Sequence, residues 1–361
     1  MRSPWLLYGA YGYTGRLIAE EAVSRGESPI LAGRREGPLR DLADRLGLRW
    51  RAFPIEGIEQ LDRGLADVDA ILLAAGPFSR TSAPVVEACL RRRVHYLDVT
   101  GEIAVYEAIF ARDAEARERG VTLVPGVGFD VVPTDCLAAS LDRVLPGGAR
   151  LDLAFALRGG GPSPGTAKTM VEGLAAGGAV REGGEIRRVP LAWRTAEIPF
   201  RDRSRHAVTI PWGDVSTAYR STGIPNIRVY AAAPPGLVRT LRLARPVASA
   251  LRVGLLRRAV QAVVGRSVSG PDEEERERGR GQIWGRVEHA DGRRVEGTAV
   301  TPGGYPFTAV SSVECVRRLL EDPPAGAVTP SSAYGMDLLA DLPECDMEVG
   351  AVREPGEPRS R

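Results

Sequence analysis

Three glycines near the start of the chain have the spacing of a phosphate-binding turn. Gly9, Gly12 and Gly15 follow an apolar run and precede a segment with helical periodicity. The first glycine of such a turn allows a sharp bend after a strand, the second lets the backbone approach a pyrophosphate, and the third lets the helix pack on the strand. The helix N-terminus then offers backbone N–H groups to the phosphates. The pattern predicts a dinucleotide site that includes Gly9, Tyr11, Gly12, Tyr13, Thr14 and Gly15.

The end of the second apolar stretch, residues 28–35, indicates which dinucleotide binds. A cofactor with a free ribose 2′-hydroxyl needs an acidic side chain there, about 20 residues beyond the motif. The sequence has Gly33, Arg34 and Arg35 instead. Guanidinium groups suit a 2′-phosphate because they form bidentate charge-assisted bonds, and Gly33 leaves space on the adenine side. We therefore expect NADP(H), while Glu36, one residue further on, keeps NAD(H) open.

Polar residues after the later strands are the candidates for catalysis. A bound nicotinamide implies hydride transfer, for which the protein must supply a proton. Thr100, Glu102 and Asp130 lie in loops past strand ends, where functional residues concentrate, and are predicted to be catalytic. The polar residues of the preceding strand, among them His95 and Asp98, are expected to serve packing and hydrogen bonding instead.

Two further observations concern the nicotinamide end of the site. The loop after the fourth strand is predicted to contact the cofactor through Gly76, Pro77 and Phe78. The Tyr-x-x-x-Lys pair of short-chain dehydrogenases is absent, because Lys168 is the only lysine and Pro164 stands four residues before it.

The elements that must position these residues alternate regularly through residue 132. Apolar strands at 5–8, 28–35, 48–53, 70–75, 94–99 and 121–125 are separated by amphipathic helices. Uninterrupted apolar strands are typical of a parallel sheet that is covered on both faces. The chain is therefore predicted to be an α/β protein, with an N-terminal Rossmann domain built on a doubly wound parallel sheet and a second mixed α+β domain.

The predicted domain boundaries follow from changes in this pattern. Residues 1–132 form the NAD(P)-binding domain, and residues 133–328 form a domain for substrate binding or oligomerisation, in which an Ala-Asp-Gly turn at 290–292 predicts a hairpin. Residues 269–281 are expected to be a solvated linker. A C-terminal helix at 329–347 is expected to return to the Rossmann domain, and 348–361 is expected to be a disordered tail.

Composition excludes several classes of function. The net charge is +2 and aromatic residues make up 6%, so nothing favours nucleic-acid binding. The four cysteines have no metal-binding or disulfide spacing, and no metal site is expected. No apolar run could span a bilayer, and no signal peptide fits before the first strand, so a cytoplasmic protein is expected.

The segment 237–266 is unusual, because it carries seven arginines and no acidic residue on an apolar background. Such a segment can lie on a membrane surface, making the protein peripheral to the membrane, or bind an acidic carrier domain. It can also be a helix pair packed on its own domain with solvated arginines. The sequence also leaves open a homodimer, in which a second copy of the chain is the partner.

Motifs along nearly the whole chain resemble those of saccharopine dehydrogenase-like oxidoreductases, and among them the bacterial trans-acting enoyl reductases. This sequence departs from the Gly-Ala-Thr-Gly pattern of the family at Tyr11, a bulkier residue in the phosphate turn. The matching motifs are Tyr8–Arg16, Leu31–Arg34, Gly76–Phe78, His95–Glu102, Gly126–Asp130 with Pro133 and Asp135, Gly165–Ala167, Ile210–Gly213, Ser221–Asn226, and Thr329–Pro330 with Ala333–Gly335.

The resemblance implies an NAD(P)-binding Rossmann domain followed by a mixed α/β domain. Enoyl reductases of this group act on acyl chains made by polyketide synthases that lack their own reductase, which implies NADPH-dependent reduction of an activated C=C bond in an acyl thioester, in trans. Saccharopine dehydrogenases proper act on an imine between lysine and an amino-acid partner, so a C=N oxidoreductase is the first alternative. A non-catalytic protein that keeps the cofactor fold at a membrane surface is the second.

The glycine turn yields the first prediction. In a Gly12→Val variant, the new side chain should occupy the pyrophosphate position and abolish NADPH binding while the fold remains largely intact. Fluorescence titration with NADPH measures the affinity, and circular dichroism checks the fold. Unchanged affinity would mean that the turn is only structural.

Overall fold

A computed structural model describes residues 3–159, 161, 163, 165–167, 173, 177–243, 245, 260 and 270–357. The chain forms two compact units. The first consists of Met1–Val132 and Gly304–Tyr334, and the second of Pro133–Gly303 and Gly335–Arg361. A parallel sheet lies in the first unit and a mixed sheet in the second, which confirms the predicted fold class.

The first unit is built on a seven-stranded parallel sheet. Its strands are β1 (Trp5–Tyr8), β2 (Ile30–Gly33), β3 (Trp50–Ala52), β4 (Ala70–Leu73), β5 (His95–Asp98), β6 (Thr122–Val124) and β15 (Gly326–Ala327). Its helices are α1 (Tyr13–Ser24), α2 (Glu36–Leu46), α3 (Ile58–Gly64), α4 (Phe78–Arg92), α5 (Ile103–Phe110), α6 (Asp113–Arg119), α11 (Gly304–Glu321) and α12 (Pro330–Tyr334). The strand order is β15-β6-β5-β4-β1-β2-β3.

This strand order places the start of the chain in the middle of the sheet. Strand β1 pairs in parallel with β2 on one side and with β4 on the other. All residues of these three strands are buried, as expected for a sheet covered on both faces. The strand order reverses direction at β1, and in such sheets ligands bind outside the carboxyl ends of the strands at that point.

The structure corrects the expected end of the second domain at residue 328, because residues 304–334 belong to the first unit. The physical reason is the set of contacts that α11 and β15 make. The hydroxyl of Ser311 donates to the carbonyl of Val127 at 2.8 Å, and Glu314 pairs with Arg25 of α1 at 3.5 Å. Strand β15 then extends the parallel sheet beside β6.

The second unit contains a nine-stranded mixed sheet. Its strands are β7 (Arg150–Arg158), β8 (Gly178–Glu182), β9 (Glu185–Val189), β10 (Thr195–Pro199), β11 (Ser204–Thr209), β12 (Ile227–Ala232), β13 (Arg280–Glu288), β14 (Arg294–Pro302) and β16 (Asp346–Val349). Its helices are α7 (Val132–Val144, which begins at the boundary), α8 (Asp214–Thr222), α9 (Pro235–Leu243) and α10 (Glu273–Arg278), with a 3-10 helix at Met336–Leu339.

The centre of this sheet is β7, which pairs in parallel with β12 and antiparallel with β13. The antiparallel pairing of β13 with β14 confirms the predicted hairpin. Helix α7 packs closely on these strands at Gly285, where a Cβ would lie 2.7 Å from a methyl carbon of Leu141. The absence of a side chain at Gly285 therefore allows the helix to approach the sheet this closely.

Residues 335–357 differ from the sequence-based expectation of one returning helix and a disordered tail. Helix α12 ends before Gly335, whose φ of +85° is a left-handed conformation that favours glycine. Strand β16 then joins β14 antiparallel. The backbones of Arg353 and Arg294 exchange hydrogen bonds of 2.8 and 3.0 Å, and residues 358–361 lie outside the described part of the chain.

The expected linker at 269–281 contains helix α10 instead. Asp272 accepts a hydrogen bond from the backbone N–H of Glu275 at 2.9 Å, and the Glu275 carboxylate accepts one from the N–H of Asp272 at 3.2 Å. This reciprocal capping box satisfies two N–H groups at the start of a short helix. Strand β13 begins two residues after the helix ends.

The basic segment 237–266 is described only at 237–243, 245 and 260, so most of it lies outside the described residues. Lys168 lies outside them too. Arg242 donates to the carbonyl of Ala192 at 3.1 Å, and Arg245 donates to that of Leu191 at 2.8 Å. These two guanidinium groups therefore bind the backbone of their own unit, and neither is simply a solvated charge. None of the helices in the described ranges is long and apolar enough to cross a membrane.

The attachment of α11 to the first unit gives the second prediction. Burial raises the pKa of Glu314, but hydrogen bonds from Arg317 and Arg318, at 2.6 and 2.7 Å, outweigh it and hold the pKa at about 2. A Glu314→Gln variant should lose about 1–3 kcal/mol of unfolding free energy at pH 7 in urea titrations. Because the folded pKa lies below the unfolded value of about 4.3, the difference should shrink as pH falls below 4.

Glu321→Gln is the matched control, since the Glu321 side chain is 63% exposed and its ion pair in the described part of the chain is with Arg317. It should change the unfolding free energy little. Equal losses in the two variants would contradict a special role for Glu314.

Candidate cofactor and active site

The loops named from the sequence as candidate site segments all follow the carboxyl ends of parallel strands. The turn 9–12 follows β1, Gly33 ends β2, the loop 74–77 follows β4, and the loops 99–102 and 125–130 follow β5 and β6. The strands are parallel neighbours in the sheet. These loops therefore lie along one edge of the first unit.

The glycine turn is as compact as the spacing predicted. Gly9 has φ of +90°, and a Cβ there would lie 2.9 Å from the backbone of Ala74 and Ala75. A Cβ at Gly15 would lie 2.2 Å from the carbonyl oxygen of Gly9. Gly12 has an extended backbone, with φ of −69°, and a Cβ there would lie 3.1 Å from the same oxygen. Larger residues at positions 9 and 15 would push the turn apart.

The N-terminus of α1 suits a pyrophosphate. Within the described residues, the N-cap residue Gly12 makes no side-chain cap, and the first turn of the helix contains no acidic residue. Phosphate oxygens are the groups that such an uncapped helix start accepts, because the N–H groups and the helix dipole favour negative charge. Tyr13 and Thr14 are the first two residues of the helix, so their position fits the predicted contacts.

The end of β2 differs from the expectation that Gly33 leaves open space on the adenine side. The ring of Tyr11 covers Gly33, so that a Cβ at residue 33 would lie 2.6 Å from a ring carbon. The guanidinium carbon of Arg35 lies 4.9 Å from the centre of the same ring. Tyr11 fills the space because its side chain is long enough to reach across from the phosphate turn to the neighbouring strand.

Asp98 ties the loops after β5 and β6 together. It is fully buried and accepts hydrogen bonds from the hydroxyl of Tyr96 at 2.6 Å and from the N–H groups of Thr100 and Gly126 at 3.0 and 2.8 Å. Burial raises its pKa to about 6, although these hydrogen bonds oppose the rise. The ring of His95 accepts from the N–H of Thr122 at 3.0 Å, and burial lowers its pKa. Both side chains serve the structural roles expected of them.

Glu102 caps a helix that begins at the same edge. Its two carboxylate oxygens accept hydrogen bonds from the N–H groups of Phe78 and Ser79, at 2.8 and 2.9 Å. These are the first residues of α4, directly after Gly76 and Pro77. A carboxylate stabilises such a helix start, because it pairs with exposed N–H groups and with the positive end of the dipole. Glu102 thereby fixes the loop that was predicted to contact the cofactor.

Thr100 is fully buried and takes part in the same network. Its hydroxyl accepts from the N–H of Glu102 at 3.1 Å, and its carbonyl accepts from the hydroxyl of Tyr106. The residue lies between Asp98 and Glu102 in the chain and connects their two sets of hydrogen bonds.

Asp130 differs from the other two catalytic candidates. Its carboxyl lies against Gly101, where a Cβ would come within 2.4 Å of the Oδ2 atom. The described part of the chain provides no hydrogen-bond or ion-pair partner for this carboxyl, and burial alone raises its pKa to about 7. The residue as a whole keeps partial solvent exposure. Asp130 is therefore a carboxylic acid that can hold or release a proton near neutral pH.

Comparison with known proteins finds a family match in the N-terminal part of the chain. Residues 5–124 match the saccharopine dehydrogenase NADP binding domain, and a relative described as a trans-acting enoyl reductase, from Mycobacterium ulcerans, aligns along nearly the full length of both chains. These likenesses place residues 5–124 with the NADP-binding domains of saccharopine dehydrogenase-like oxidoreductases. The cofactor class of that domain family, NADP(H), agrees with the prediction from the arginines after β2.

Sequence identity to trans-acting enoyl reductases is higher over part of the chain than over its full length. The M. ulcerans protein is 26% identical over 421 aligned residues, which cover 96% of this chain and 97% of that one. A trans-acting enoyl reductase of Mycobacterium leprae is 33% identical over 146 residues, covering 38% of this chain and 35% of that one. The apo saccharopine dehydrogenase (L-Glu forming) of Saccharomyces cerevisiae has a TM-score of 0.63 at 13% identity, with 97% and 100% coverage, which shows a shared fold.

Aromatic residues of α11 are part of this edge of the oxidoreductase, and the sequence did not point to them. Tyr305 packs edge-on against Tyr13 of the phosphate turn, with ring centres 4.8 Å apart. Phe307 packs edge-on against Phe129 at 5.9 Å. These residues come from a segment more than 170 positions away, and no pattern in the sequence indicates their return. Among the described residues, no cluster of His, Cys, Asp or Glu could hold a metal ion.

The position of Glu102 gives the third prediction. A Glu102→Ala variant removes both acceptors at the start of α4 and should lower the unfolding free energy by about 1–2 kcal/mol, as the loss of a helix cap does. Glu118→Ala, an exposed position on α6, is the control and should change it little. Urea denaturation measures both. If Glu102→Ala is as stable as the unmodified protein, the carboxylate does not stabilise the helix start.

Proposed function

We propose that this protein is an NADPH-dependent reductase of a C=C bond conjugated to the carbonyl group of an acyl thioester, and that Asp130 supplies the proton. The observation that carries the proposal is the carboxyl of Asp130, which is held beside Gly101 with a pKa of about 7. A proton donor with a pKa near the working pH is what general-acid catalysis requires.

The residues that would hold the cofactor are the glycine turn, the start of α1 and the arginines after β2. The turn is a cradle that any Cβ at Gly9 or Gly15 would fill, and the N-cap residue of α1 is a glycine, which has no side chain to cap the helix. Arg34 and Arg35 are exposed at the end of β2, on the side where the adenosine ribose of a dinucleotide lies. The loop at Gly76–Phe78, fixed by Glu102, would border the nicotinamide.

The chemistry divides between the cofactor and the chain. NADPH, held by the glycine turn, the start of α1 and the arginines after β2, would supply a hydride for the carbon β to the thioester carbonyl. The α carbon gains a proton, and the O–H group of protonated Asp130 provides it, leaving a carboxylate that takes up a new proton from water.

Thr100 and Glu102 have supporting roles in this proposal. Their side chains are bound to backbone N–H groups, so they position the loops after β4 and β5. Asp98 accepts hydrogen bonds from three donors in the same network, and the one from the N–H of Gly126 fixes the loop that leads to Asp130. Since the described residues bind the carboxyls of Asp98 and Glu102 and offer that of Asp130 no partner, we assign the reacting proton to Asp130.

The substrate class is supported by homology. Relatives that share sequence along the chain are trans-acting enoyl reductases, and a reductase that acts in trans must accept an acyl chain carried by another molecule. The acyl group would be presented as a thioester, whose carbonyl activates the C=C bond toward hydride. We also propose that a carrier protein is the partner that presents the acyl thioester to this protein.

Replacement of Asp130 gives the fourth prediction. An Asp130→Asn variant keeps the shape of the side chain but has no acidic proton, so turnover of an enoyl thioester should fall about 10²–10⁴-fold while NADPH affinity stays the same. In the unmodified protein, turnover should decrease as pH rises through about 7, because the protonated acid is the active form. The variant should lack this pH dependence.

Two controls accompany this experiment. Asp41→Asn changes an exposed carboxyl of α2 and should retain full activity. The unfolding free energy offers a readout that needs no substrate: because the folded pKa of Asp130 exceeds the unfolded value of about 3.9, ionisation destabilises the fold progressively between pH 4 and 7. Asp130→Asn should therefore be more stable than the unmodified protein at pH 8 and equally stable at pH 4.

The substrate assay separates the proposal from its alternative. NADPH oxidation is followed with crotonyl thioesters on a carrier, and reduction of NADP⁺ is followed with saccharopine. Turnover of saccharopine without turnover of enoyl thioesters would assign the chain to C=N chemistry. An Asp130→Asn variant with unchanged turnover would remove Asp130 from the mechanism.

A further inference from the structure

Three residues at the end of β2 form a stacked group that the sequence motifs did not indicate. The ring of Tyr11, from the phosphate turn, lies directly over Gly33. The guanidinium group of Arg35 lies over the same ring, with its carbon 4.9 Å from the ring centre. Two residues that are 24 positions apart in the chain are thereby joined by a cation–π contact.

The geometry of a guanidinium group makes such a stack useful for binding an anion. The group is planar, so its face can rest on an aromatic ring while the N–H bonds along its edge point away from the ring. Neither Arg34 nor Arg35 forms an ion pair with a carboxylate within the described ranges, although many other arginines of this chain do. The edge of the Arg35 guanidinium is therefore available to a ligand.

The two arginines have different surroundings. Arg34 lies near Tyr8, where its charge favours ionisation of the tyrosine hydroxyl, although burial has the larger effect and raises the pKa. Arg35 is the N-cap residue of helix α2, directly before its first residue, and contacts Tyr11. Of these two arginines, Arg35 is the one that contacts an aromatic ring among the described residues, which restricts the directions that its N–H groups can take.

We propose that Tyr11 determines cofactor specificity by holding the guanidinium of Arg35 in an orientation in which its edge binds the 2′-phosphate of NADP(H). Tyr11 acts as a positioning residue, and Arg35 makes the contact. The proposal rests on the cofactor placement given under the proposed function. It explains why a tyrosine stands in the phosphate turn and why a glycine stands beneath its ring at position 33.

The experiment uses two ligands that differ only in the group of interest. Isothermal titration with 2′,5′-ADP and with 5′-AMP measures the affinity gained from the 2′-phosphate, without any contribution from the nicotinamide. In the unmodified protein, 2′,5′-ADP should bind more tightly. Tyr11→Ala should reduce this preference about fivefold, the size expected from one cation–π contact at a partly exposed site. Tyr11→Phe keeps the ring and should keep the preference.

A double-variant comparison tests whether Tyr11 acts through Arg35. Arg35→Ala should remove most of the preference for 2′,5′-ADP. In that background, Tyr11→Ala should change the preference no further, since there is no guanidinium left to position. Arg35→Lys should behave nearly as Arg35→Ala does, because an ammonium group cannot use one face for the ring and one edge for the phosphate.

A pair of glycine variants provides a test that leaves both Tyr11 and Arg35 in place. Gly33→Ala places a Cβ 2.6 Å from the Tyr11 ring and must displace it, so the preference should fall as it does in Tyr11→Ala. Gly37→Ala, four residues later in α2, meets nothing within 4 Å and should keep the preference of the unmodified protein. Thermal melting of all variants verifies that they are folded.

The outcomes separate this proposal from the cofactor placement. If the unmodified protein binds 2′,5′-ADP no more tightly than 5′-AMP, the placement of the cofactor fails, and the role of Tyr11 fails with it. If the unmodified protein shows the preference and Tyr11→Ala retains it, the placement stands and Tyr11 has no such role. An equal loss of affinity for both ligands in Tyr11→Ala would also overturn the proposal, because it would show that the ring supports the adenosine as a whole.

Discussion

The arrangement of the candidate site depends on one buried carboxyl, that of Asp98. It receives hydrogen bonds from a tyrosine of its own strand, from the loop after β5 and from the loop after β6. A buried acceptor with three donors is stable only if all of them stay in place, since each unpaired donor would cost about 1–3 kcal/mol. Asp98 thereby sets the spacing between two strand ends, and with it the positions of Glu102 and Asp130.

A second constraint acts on the same loops from a distant part of the chain. The side chain of Thr308 accepts a hydrogen bond from the N–H of Phe129, and that of Ser311 donates to the carbonyl of Val127. Helix α11 thus fixes the backbone directly before Asp130, although it follows the whole second unit in sequence. The backbone before the acidic residue proposed for catalysis is therefore held from two directions, while the described residues offer its carboxyl no partner.

Local patterns predicted what local physics controls. The glycine spacing predicted a turn in which a Cβ at Gly15 would collide with a carbonyl, and apolar runs predicted the six parallel strands up to residue 124. The signal for α10 was also present, because Asp272 and Glu275 have the spacing of a capping box. It was missed because the charged composition of 269–281 favoured a solvated linker, and composition does not report hydrogen bonds between neighbours.

The sequence by itself determined the fold class, the cofactor family and the loops in which we propose the site, since each depends on periodicity or on backbone needs that are visible within a few residues. Tertiary structure alone decided which candidates are bound and which remain available. The carboxyl of Glu102 caps α4, Asp130 lies beside Gly101 with its pKa raised, and the ring of Tyr11 occupies the space above Gly33. Such differences depend on burial and on partners from other strands, and the order of residues along one strand does not contain them.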